Sequence, residues 1–291
     1  MTQQEMTQTT TPYVEFWNDT LAEKFERFRD ILMNGLSYHS RIPLEKLNIE
    51  PGARILDVGC GWGDTAIQLA RKTGPDGFVL GMDCVDTFLE RGRREAEVSG
   101  LDNLHFQAED VERYPFEPEF DFCFSRFGMM FFENPVAAMR NIHRALKPGS
   151  ELMFIVWRRI EDNPWLGLPK QVVLDYLEPP GEEACTCGPG PFSMANTEVV
   201  GKQLEIAGFT DLDFERIDGP VTVGDSLENA VRFQLAIGPA GEVFREAGDE
   251  GERRRGEIEQ AMQRALAPYH QPEGVVMPSS SWCITARAPQ A

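Results

Sequence analysis

Short apolar runs and amphipathic segments alternate along the first half of the chain. The apolar runs are rich in Val, Ile, Leu and Phe, which is typical of strands that are buried on both faces. Amphipathic segments near residues 64–72, 87–99 and 134–146 separate most of them. This alternation predicts an α/β fold in which parallel strands are joined by crossover helices. The predicted strands are Arg54–Val58, Phe78–Asp83, Leu104–Ala108, Phe120–Ser125 and Leu152–Trp157.

The second half of the chain is less regular but adds two strand patterns, so that seven strands are expected in all. The segment 244–266 is highly charged and contains Gly248, Gly251 and Gly256, which are expected to interrupt a helix there. The further strands are predicted over residues 210–217 and 281–287, and helices over residues 163–177, 196–208 and 226–237.

An N-terminal extension precedes the first strand. Apolar residues recur at helical spacing from Leu21, which predicts an amphipathic helix that ends at Gly35, and a second short helix is expected over Pro43–Leu47. Residues 1–11 are rich in Gln and Thr and are predicted to be a disordered lead-in rather than a signal peptide. We therefore expect a helical cover over residues 12–50 and a main domain over residues 51–291, with cap-like insertions at about 160–195 and 225–274.

A glycine-rich turn follows the first strand. The chain reads Asp57-Val58-Gly59-Cys60-Gly61-Trp62-Gly63, so that the glycines recur at every second residue. A dinucleotide-binding turn has the spacing G-x-G-x-x-G and places a pyrophosphate at the helix N-terminus. A carboxylate at position 57 would repel a phosphate but would suit an ammonium group. The turn therefore favours a cationic ligand that carries no phosphate.

Two further acids stand where the next two strands end. Asp83 closes the second strand, and Asp110 follows the third strand, with Glu109 directly before it. The carboxyl ends of parallel strands meet at one edge of a sheet, where ligands of such folds bind. An acid after the second strand can accept hydrogen bonds from both hydroxyls of a ribose. The acids and the glycine turn together predict a binding site for a nucleoside.

The chain resembles the class I S-adenosylmethionine-dependent methyltransferases in three features. These are the run D-V-G-C-G-W-G, Asp83, and the segment Leu146-Lys147-Pro148-Gly149-Ser150 before an apolar strand. Within this class, the chain is most similar to the small-molecule methyltransferases of the ubiquinone/menaquinone-biosynthesis type. The resemblance covers about residues 50–157. It implies a Rossmann-like, doubly wound, mostly parallel seven-stranded sheet with an antiparallel last strand, and N-terminal helices that close over the cofactor.

The resemblance also implies the cofactor, S-adenosylmethionine, which would leave as S-adenosylhomocysteine, and the residues that bind it. Asp57 is expected to hold the methionine moiety, directly or through water, and Asp83 the ribose. Asp110 is expected to bind the adenine amino group, with the Val111 backbone nearby and Glu109 as a competitor for that role. Arg126 needs a partner, which is the cofactor carboxylate, the substrate or a structural acid. Further cofactor contacts are expected from Gly59, Cys60, Gly61, Gly63, Cys84 and Ser125.

The acceptor side is predicted from aromatic and histidine residues. A general base is needed only if the acceptor must lose a proton. His39 in the N-terminal cover is the candidate, with a surface histidine as the alternative reading, whereas His105 and His143 are expected to be structural. The pocket walls are expected to include Tyr13, Trp17, Tyr38, Met130, Trp157 and Trp165.

Composition limits the partners. The net charge of −19 argues against nucleic acid, because phosphate binding requires a basic surface. The chain has no run of 18 apolar residues, so a membrane span is not expected. Six cysteines occur, and only Cys185 and Cys187 are close together, without a matching C-x-x-C or histidine cluster. We therefore expect no metal site, and we expect the thiols to be reduced, as in the cytoplasm. The possibility of a homodimer is left open.

These features predict a methyltransferase that moves a methyl group to O, N or C of a small organic acceptor, mainly by proximity and in-line orientation. Two alternatives stand beside it. A nicotinamide-dependent dehydrogenase is disfavoured by the glycine spacing. A non-catalytic S-adenosylmethionine-binding or assembly protein of the same fold is disfavoured by the intact series Asp57, Asp83 and Asp110.

Overall fold

A mixed β-sheet forms the centre of the protein. The computed structural model describes residues 11–181 and 189–290, so that Cys185, Cys187 and nearly all of the predicted N-terminal lead-in lie outside the described residues. The strand order is β3-β2-β1-β4-β5-β8-β6, and a short β7 pairs with β8. The strands are β1 Arg54–Val58, β2 Phe78–Asp83, β3 Leu104–Ala108, β4 Phe120–Arg126, β5 Leu146–Trp157, β6 Thr210–Gly224, β7 His270–Gln271 and β8 Gly274–Arg287.

Helices flank the sheet and cover one of its edges. Helices α4 and α5 pack on β1–β3, while α6 and α8 pack on each other beside β5 and β6. The helices are α1 Pro12–Phe16, α2 Ala22–Arg27, α3 Arg29–Lys46, α4 Asp64–Thr73, α5 Asp86–Val98, α6 Pro135–Ala145, α7 Pro164–Leu174, α8 Thr197–Ala207, α9 Leu227–Ala236, α10 Gly238–Glu246 and α11 Asp249–Leu266. A π-helical turn, Trp17–Leu21, joins α1 to α2.

Strand β1 lies at the point where the strand order reverses. It pairs in parallel with β2 on one side and with β4 on the other. Ile55, Leu56 and Val58 are fully buried, because helices cover both faces of a parallel sheet and leave no polar face. Ligands of open α/β sheets bind outside the carboxyl ends of the strands at such a reversal. The turn that follows Val58 is therefore the expected position of a ligand.

The predicted sheet, mostly parallel with an antiparallel last strand, is confirmed. Strand β8 runs antiparallel to both β5 and β6. The two-residue strand β7 is an eighth strand that the sequence pattern did not reveal. Strands β6 and β8 are also longer than predicted, since their pairing extends from Thr210 opposite Arg287 to Gly224 opposite Val275.

The N-terminal helices differ from the prediction in their boundaries, since the helix predicted from Leu21 is divided at Phe28 into α2 and α3. Helix α3 does not end at Gly35 but continues through Gly35 and Pro43 to Lys46. A Cβ atom on Gly35 would lie 2.8 Å from the carbonyl oxygen of Thr222, so glycine allows α3 to pack closely on β6. Tertiary packing thus outweighs the low helix propensity of this glycine.

The charged segment before β7 also differs from the prediction. It forms the regular helix α11, which runs through Gly251 and Gly256 without a break, and only Ala247 and Gly248 separate it from α10. A Cβ atom on Gly251 would lie 2.9 Å from the carbonyl oxygen of Phe244, so this glycine again permits a close approach. Helix α7 packs against α10 and α11. The two predicted insertions therefore contact each other.

Candidate functional site

The glycine turn after β1 forms one wall of a cavity. Gly59, Gly61 and Gly63 have φ values of +63°, +54° and +80°, which glycine adopts without steric cost. The backbone N–H groups of Gly59 and Cys60 donate to the Met82 carbonyl at 2.8 Å and 3.2 Å, which fixes the turn over the end of β2. A Cβ atom on Gly61 would meet no atom of the described chain within 4 Å. The turn is thus held rigidly and opens at Gly61 toward the cavity.

Asp83 ties this turn to the end of β2. Its Oδ2 atom accepts a hydrogen bond from the Gly61 N–H at 2.9 Å, and Oδ1 accepts one from the Val85 N–H at 3.0 Å. Burial raises the pKa of the Asp83 carboxyl, while the Val85 and Gly61 hydrogen bonds oppose that rise. Asp83 lines the cavity and is positioned by the backbone on both sides.

Asp57 lies beneath the turn rather than in the cavity wall. It is fully buried, and its Oδ2 atom accepts a hydrogen bond from the Thr65 hydroxyl at 2.6 Å. Its Oδ1 atom has no hydrogen-bond partner among the described residues. Burial is the main cause that raises the pKa of Asp57 to about 7. A buried acceptor without a partner is costly, so this oxygen is suited to a group that comes from outside the chain.

The segment after β3 forms the adjoining wall. Glu109, Asp110 and Val111 all line the cavity, so that geometry leaves both acids open for the role predicted there. The Glu109 N–H donates to the Asp83 carbonyl at 3.0 Å. Asp110 accepts a hydrogen bond from the Glu112 N–H at 2.9 Å, which fixes the bend of this segment.

Arg126, at the end of β4, has a structural acid as its partner. Its Nη2 atom donates to Asp64 Oδ1 at 2.7 Å, and Nη1 donates to the Ser40 hydroxyl at 3.3 Å. Both members of the ion pair line the cavity and are largely buried. Ser125 is fully buried outside this wall, and its hydroxyl has no partner among the described residues.

The segment after β4 crosses behind the glycine turn. A Cβ atom on Gly59 would lie 2.9 Å from the Cα atom of Gly128, so the two backbones are in close contact. Phe127 has a φ of +58°, which is unfavourable for a bulky residue. Its ring stacks on Trp157 with the centroids 4.0 Å apart, and its N–H donates to the Ile155 carbonyl at 2.8 Å. These contacts hold the strained residue in place beside the cavity.

Aromatic residues form the opposite wall. Of the residues predicted for the acceptor side, Tyr13, Trp17, Met130, Trp157 and Trp165 line the cavity. Tyr38 is placed elsewhere, because its ring packs against Gly219 on β6 and the Arg41 guanidinium lies 5.4 Å from its centroid. The predicted cofactor-side residues Gly59, Cys60, Gly61 and Cys84 also line the cavity, whereas the side of the turn at Gly63 packs against Phe106.

His39 is buried away from the cavity, which argues against the predicted role as a general base. It is fully buried, with Nε2 lying 2.7 Å from the Ser279 hydroxyl and Nδ1 lying 2.8 Å from the Ser281 hydroxyl. Because the Ser279 hydroxyl donates to the Gly219 carbonyl, it accepts from Nε2–H, and Nδ1 accepts from Ser281. Burial lowers the pKa of His39 to about 4. His39 therefore stays neutral and joins α3 to β8.

Several cavity residues were not identified from the sequence. Asp64 directly follows the last glycine and was assigned only to the helix start. Lys24 on α2 and Glu242 and Arg245 on α10 also line the cavity. Nothing in the local pattern marks these three, because the cavity joins segments that are far apart in the chain.

The described residues show neither a cluster of metal ligands nor a membrane-spanning helix. Across residues 11–181 and 189–290, no group of three or more His, Cys, Asp and Glu side chains is arranged to hold a metal ion. Cys185 and Cys187 lie outside these ranges. No helix in the described parts of the chain is long and apolar enough to cross a membrane.

Comparisons with known proteins bear on the first half of the chain. Residues 49–173 match the family model of a methyltransferase domain. The ubiquinone/menaquinone biosynthesis C-methyltransferase UbiE of Pseudomonas putida is 32% identical over 139 residues, which are 47% of this chain and 54% of that relative. The chain thus spans about half the length of the curated relatives it matches.

Solved structures extend the likeness of the fold beyond that region. The YcgJ protein of Bacillus subtilis has a TM-score of 0.59 at 14% identity, over 88% of this chain and 100% of that one. Phosphoethanolamine N-methyltransferase 2 of Haemonchus contortus, solved in complex with S-adenosyl-L-methionine, has a TM-score of 0.59 at 16% identity, over 97% of this chain and 61% of that one. Residues 49–173 are therefore similar in sequence to a methyltransferase domain, and the chain shares the Rossmann-like fold of these solved structures.

Proposed function

We propose that this protein is an S-adenosylmethionine-dependent methyltransferase that moves a methyl group to O, N or C of a small organic acceptor. The observation that carries the proposal is the position of Asp83. Its carboxylate bonds to the glycine turn and lines the same cavity as Glu109 and Asp110. An acid-lined nucleoside site beside a rigid glycine turn suits a cofactor that carries an ammonium group and no phosphate.

The residues present fit the cofactor. The space beyond Gly61, which a Cβ atom would enter, allows the backbone to approach a ligand closely. Asp83 is suited to bind the ribose, and Glu109 or Asp110 the adenine amino group. The Oδ1 atom of Asp57, which has no hydrogen-bond partner in the described part of the chain, is suited to the ammonium group, directly or through water. Gly59, Cys60, Cys84 and Val111 contribute further parts of the wall, and Gly63 and Ser125 support it from behind.

The mechanism that we infer depends on position more than on proton transfer. The sulfonium cofactor supplies a methyl group that is already activated. The chain then has to bind the two reactants, align them and exclude water, which can supply much of the rate enhancement. The aromatic wall around Trp17 and Trp157 excludes water from the acceptor side. Where the acceptor must lose a proton, Asp64 and Glu242 are the carboxylates in the lining besides the acids of the nucleoside site.

A second candidate is a protein of the same fold that binds the cofactor without turnover. The cavity lining includes no histidine among the described residues, and His39 is buried elsewhere. Transfer to a carbon or oxygen acceptor often uses such a base. The absence of a histidine from the described lining therefore favours the non-catalytic binding protein only where the acceptor would need a base.

Transfer of labelled methyl separates the two candidates. The protein is incubated with methyl-labelled S-adenosylmethionine and a panel of small phenols, catechols, quinols and amines, and with small-molecule extracts. We expect enzyme-dependent label in at least one acceptor and formation of S-adenosylhomocysteine. Saturable cofactor binding without label in any acceptor or extract would instead support the binding protein.

We further infer the setting in which the protein acts. The free thiols suit a site of action in the cytoplasm, and the acidic composition disfavours nucleic acid or membrane as a partner. Residues 12–50 act as a helical cover, and residues 51–291 as the methyltransferase domain with its two cap-like insertions. A homodimer would appear in light scattering as twice the 32.8 kDa mass of the chain.

A further inference from the structure

The cavity wall that is formed by helices α2 and α10 carries charge of the opposite sign to the wall at the strand ends. The wall at the strand ends is acidic, with Asp64, Asp83, Glu109 and Asp110 against one cation, Arg126. Helices α2 and α10 contribute two cations and one acid, namely Lys24, Arg245 and Glu242, which sum to +1. An acceptor between these walls experiences a field that orients any charged group it carries.

Lys24 is the cation whose charge is least compensated. It is half-buried, and its ammonium group has no hydrogen bond or ion pair within the described residues. Burial lowers its pKa, and the nearby positive charge of Arg245 lowers it further. A partly desolvated ammonium group beside a second cation gains free energy when an anion binds to it.

Arg245 is already engaged. Its Nη2 atom lies 3.0 Å from Glu246 Oε1, and its guanidinium lies 5.0 Å from the centroid of the Phe16 ring. These contacts hold Arg245 in place, so that it adds positive potential at Lys24. A ligand anion would therefore be bound mainly by Lys24.

Glu242 is the group that opposes an anion in this wall. Burial raises its pKa, while Arg245 and Lys170 lower it and Glu246 raises it. Its Oε1 atom is buried without a hydrogen-bond partner among the described residues. Because burial disfavours its charged form and Arg245 offsets the charge that remains, Glu242 repels a nearby anion less than an exposed carboxylate would.

The space between the charged walls is aromatic. Trp17 lies edge-on to both Phe25 and Phe131, with centroids 5.3 Å and 5.1 Å apart, and Trp165 lies edge-on to Trp157 at 5.1 Å. Such side chains bind planar apolar groups through their faces and edges.

We propose that Lys24 is the anion-binding residue of the acceptor site and that the acceptor is a planar apolar molecule with a carboxylate or similar anionic group. This proposal rests on the proposed function and adds the acceptor class to it. The apolar body of the acceptor packs against the aromatic side chains, and its anion lies at Lys24, away from the acids of the strand ends. The chain carries a net charge of −19, so Lys24 offers a local site for an anion on an otherwise repulsive protein.

The test uses three probes of one shape with different charge: 3-phenylpropionate, 3-phenylpropanamide and 3-phenylpropylamine. Each is titrated into the full chain, saturated with S-adenosylhomocysteine, and binding is followed by tryptophan fluorescence. We expect the carboxylate to bind about tenfold more tightly than the amide, since a charge-assisted hydrogen bond is stronger than a neutral one. Lys24→Gln should lower the affinity for the carboxylate to that for the amide, whereas Lys202→Gln, an exposed residue on α8, should leave it unchanged.

Three outcomes would overturn the proposal. Tightest binding of the amine would show that Glu242 dominates the wall. An unchanged preference in Lys24→Gln would place the anion elsewhere. Absence of saturable carboxylate binding up to about 10 mM would exclude this acceptor class. The binding of S-adenosylhomocysteine is measured separately on the same samples, so failure of the proposed function is distinguishable from failure of this inference.

Discussion

At the scale of single residues, His39 shows how burial changes the role of a titratable group. Its two ring nitrogens are satisfied by Ser279 and Ser281, and its ring lies edge-on to Trp157 with centroids 5.0 Å apart. A histidine in this position supports the cavity wall through Trp157 but cannot exchange a proton with a molecule in the cavity.

The stability of the protein should therefore depend on pH through His39. Its folded pKa of about 4 lies below the unfolded value of 6.5, so the stability it contributes is complete above pH 6.5 and is lost as the pH falls toward 4. The loss amounts to roughly 2–3 kcal/mol. In urea unfolding, the stability difference between wild type and His39→Gln should narrow over this range.

The role of His39 can also be tested through the pH dependence of kcat. If His39 were a general base, His39→Gln would lower kcat by about a hundredfold or more and remove a limb of the profile. We expect the variant to be less stable and to keep most of its kcat. A large loss of kcat in folded protein would contradict the structural role.

Asp57 is the residue at which we expect cofactor binding and protonation to be coupled. Its pKa of about 7, raised mainly by burial, means that it is partly protonated at neutral pH. A cationic ligand near Oδ1 would favour the charged form and lower this pKa. The affinity for S-adenosylhomocysteine should then rise up to about tenfold from pH 6 to pH 8, because ligand and proton compete.

Calorimetry in buffers of different ionisation enthalpy measures this coupling. At pH 6.5 the wild type should release a fraction of a proton upon binding, and Asp57→Asn should release none and bind with an affinity that varies little with pH. Equal proton release by both proteins would show that Asp57 does not sense the ligand.

At the scale of elements, we expect different glycines of the turn to serve packing and cofactor binding. Gly59 faces the Gly128 backbone, whereas the side of Gly61 is open among the described residues. Gly61→Ala should therefore cost roughly 1–2 kcal/mol of stability from its positive φ, yet weaken cofactor binding at least about tenfold. Gly59→Ala should lower the melting temperature more strongly. Thermal unfolding and calorimetry on both variants measure these two effects. A larger fall in melting temperature for Gly61→Ala, or a larger loss of cofactor affinity for Gly59→Ala, would contradict these roles.

The elements that the sequence predicted are those with local causes. Strands β1–β5 follow from apolar runs, and the turn at Gly59–Gly63 from its spacing, because neighbouring residues determine both. Helices α3 and α11 were predicted to break at Gly35 and at Gly251 and Gly256. At Gly35 the glycine instead allows a close contact with the distant strand β6, and at Gly251 it allows one with the preceding helix α10. Such contacts are tertiary and leave no local pattern.

The candidate site divides in the same way. The acids at the strand ends were predictable, because parallel strands bring their carboxyl ends together. The burial of His39 depends on a serine 240 residues away in sequence, and the cavity position of Lys24 depends on helix α10. A single sequence contains no periodicity that relates such distant segments.

At the scale of the whole molecule, the proposed function depends on one cavity between the sheet and the helical cover. The strand ends form one side of this cavity, which we propose binds the nucleoside, and the N-terminal and inserted helices form the other, which we propose binds the acceptor. Asn18 on the cover donates to the Cys84 carbonyl at 3.0 Å, and Glu26 accepts a hydrogen bond from the Trp62 indole at 2.6 Å. These bonds join the cover to both the glycine turn and the end of β2, so the two sides form one site.

The most direct test of this account is calorimetric titration of S-adenosylhomocysteine into wild type, Asp83→Asn and Asp102→Asn. Asp102 is an exposed acid in the turn before β3 and serves as the matched control. We predict saturable one-to-one binding to wild type and Asp102→Asn, and affinity at least about tenfold weaker for a folded Asp83→Asn. No binding to wild type, or equal affinity for wild type and Asp83→Asn, would contradict the account.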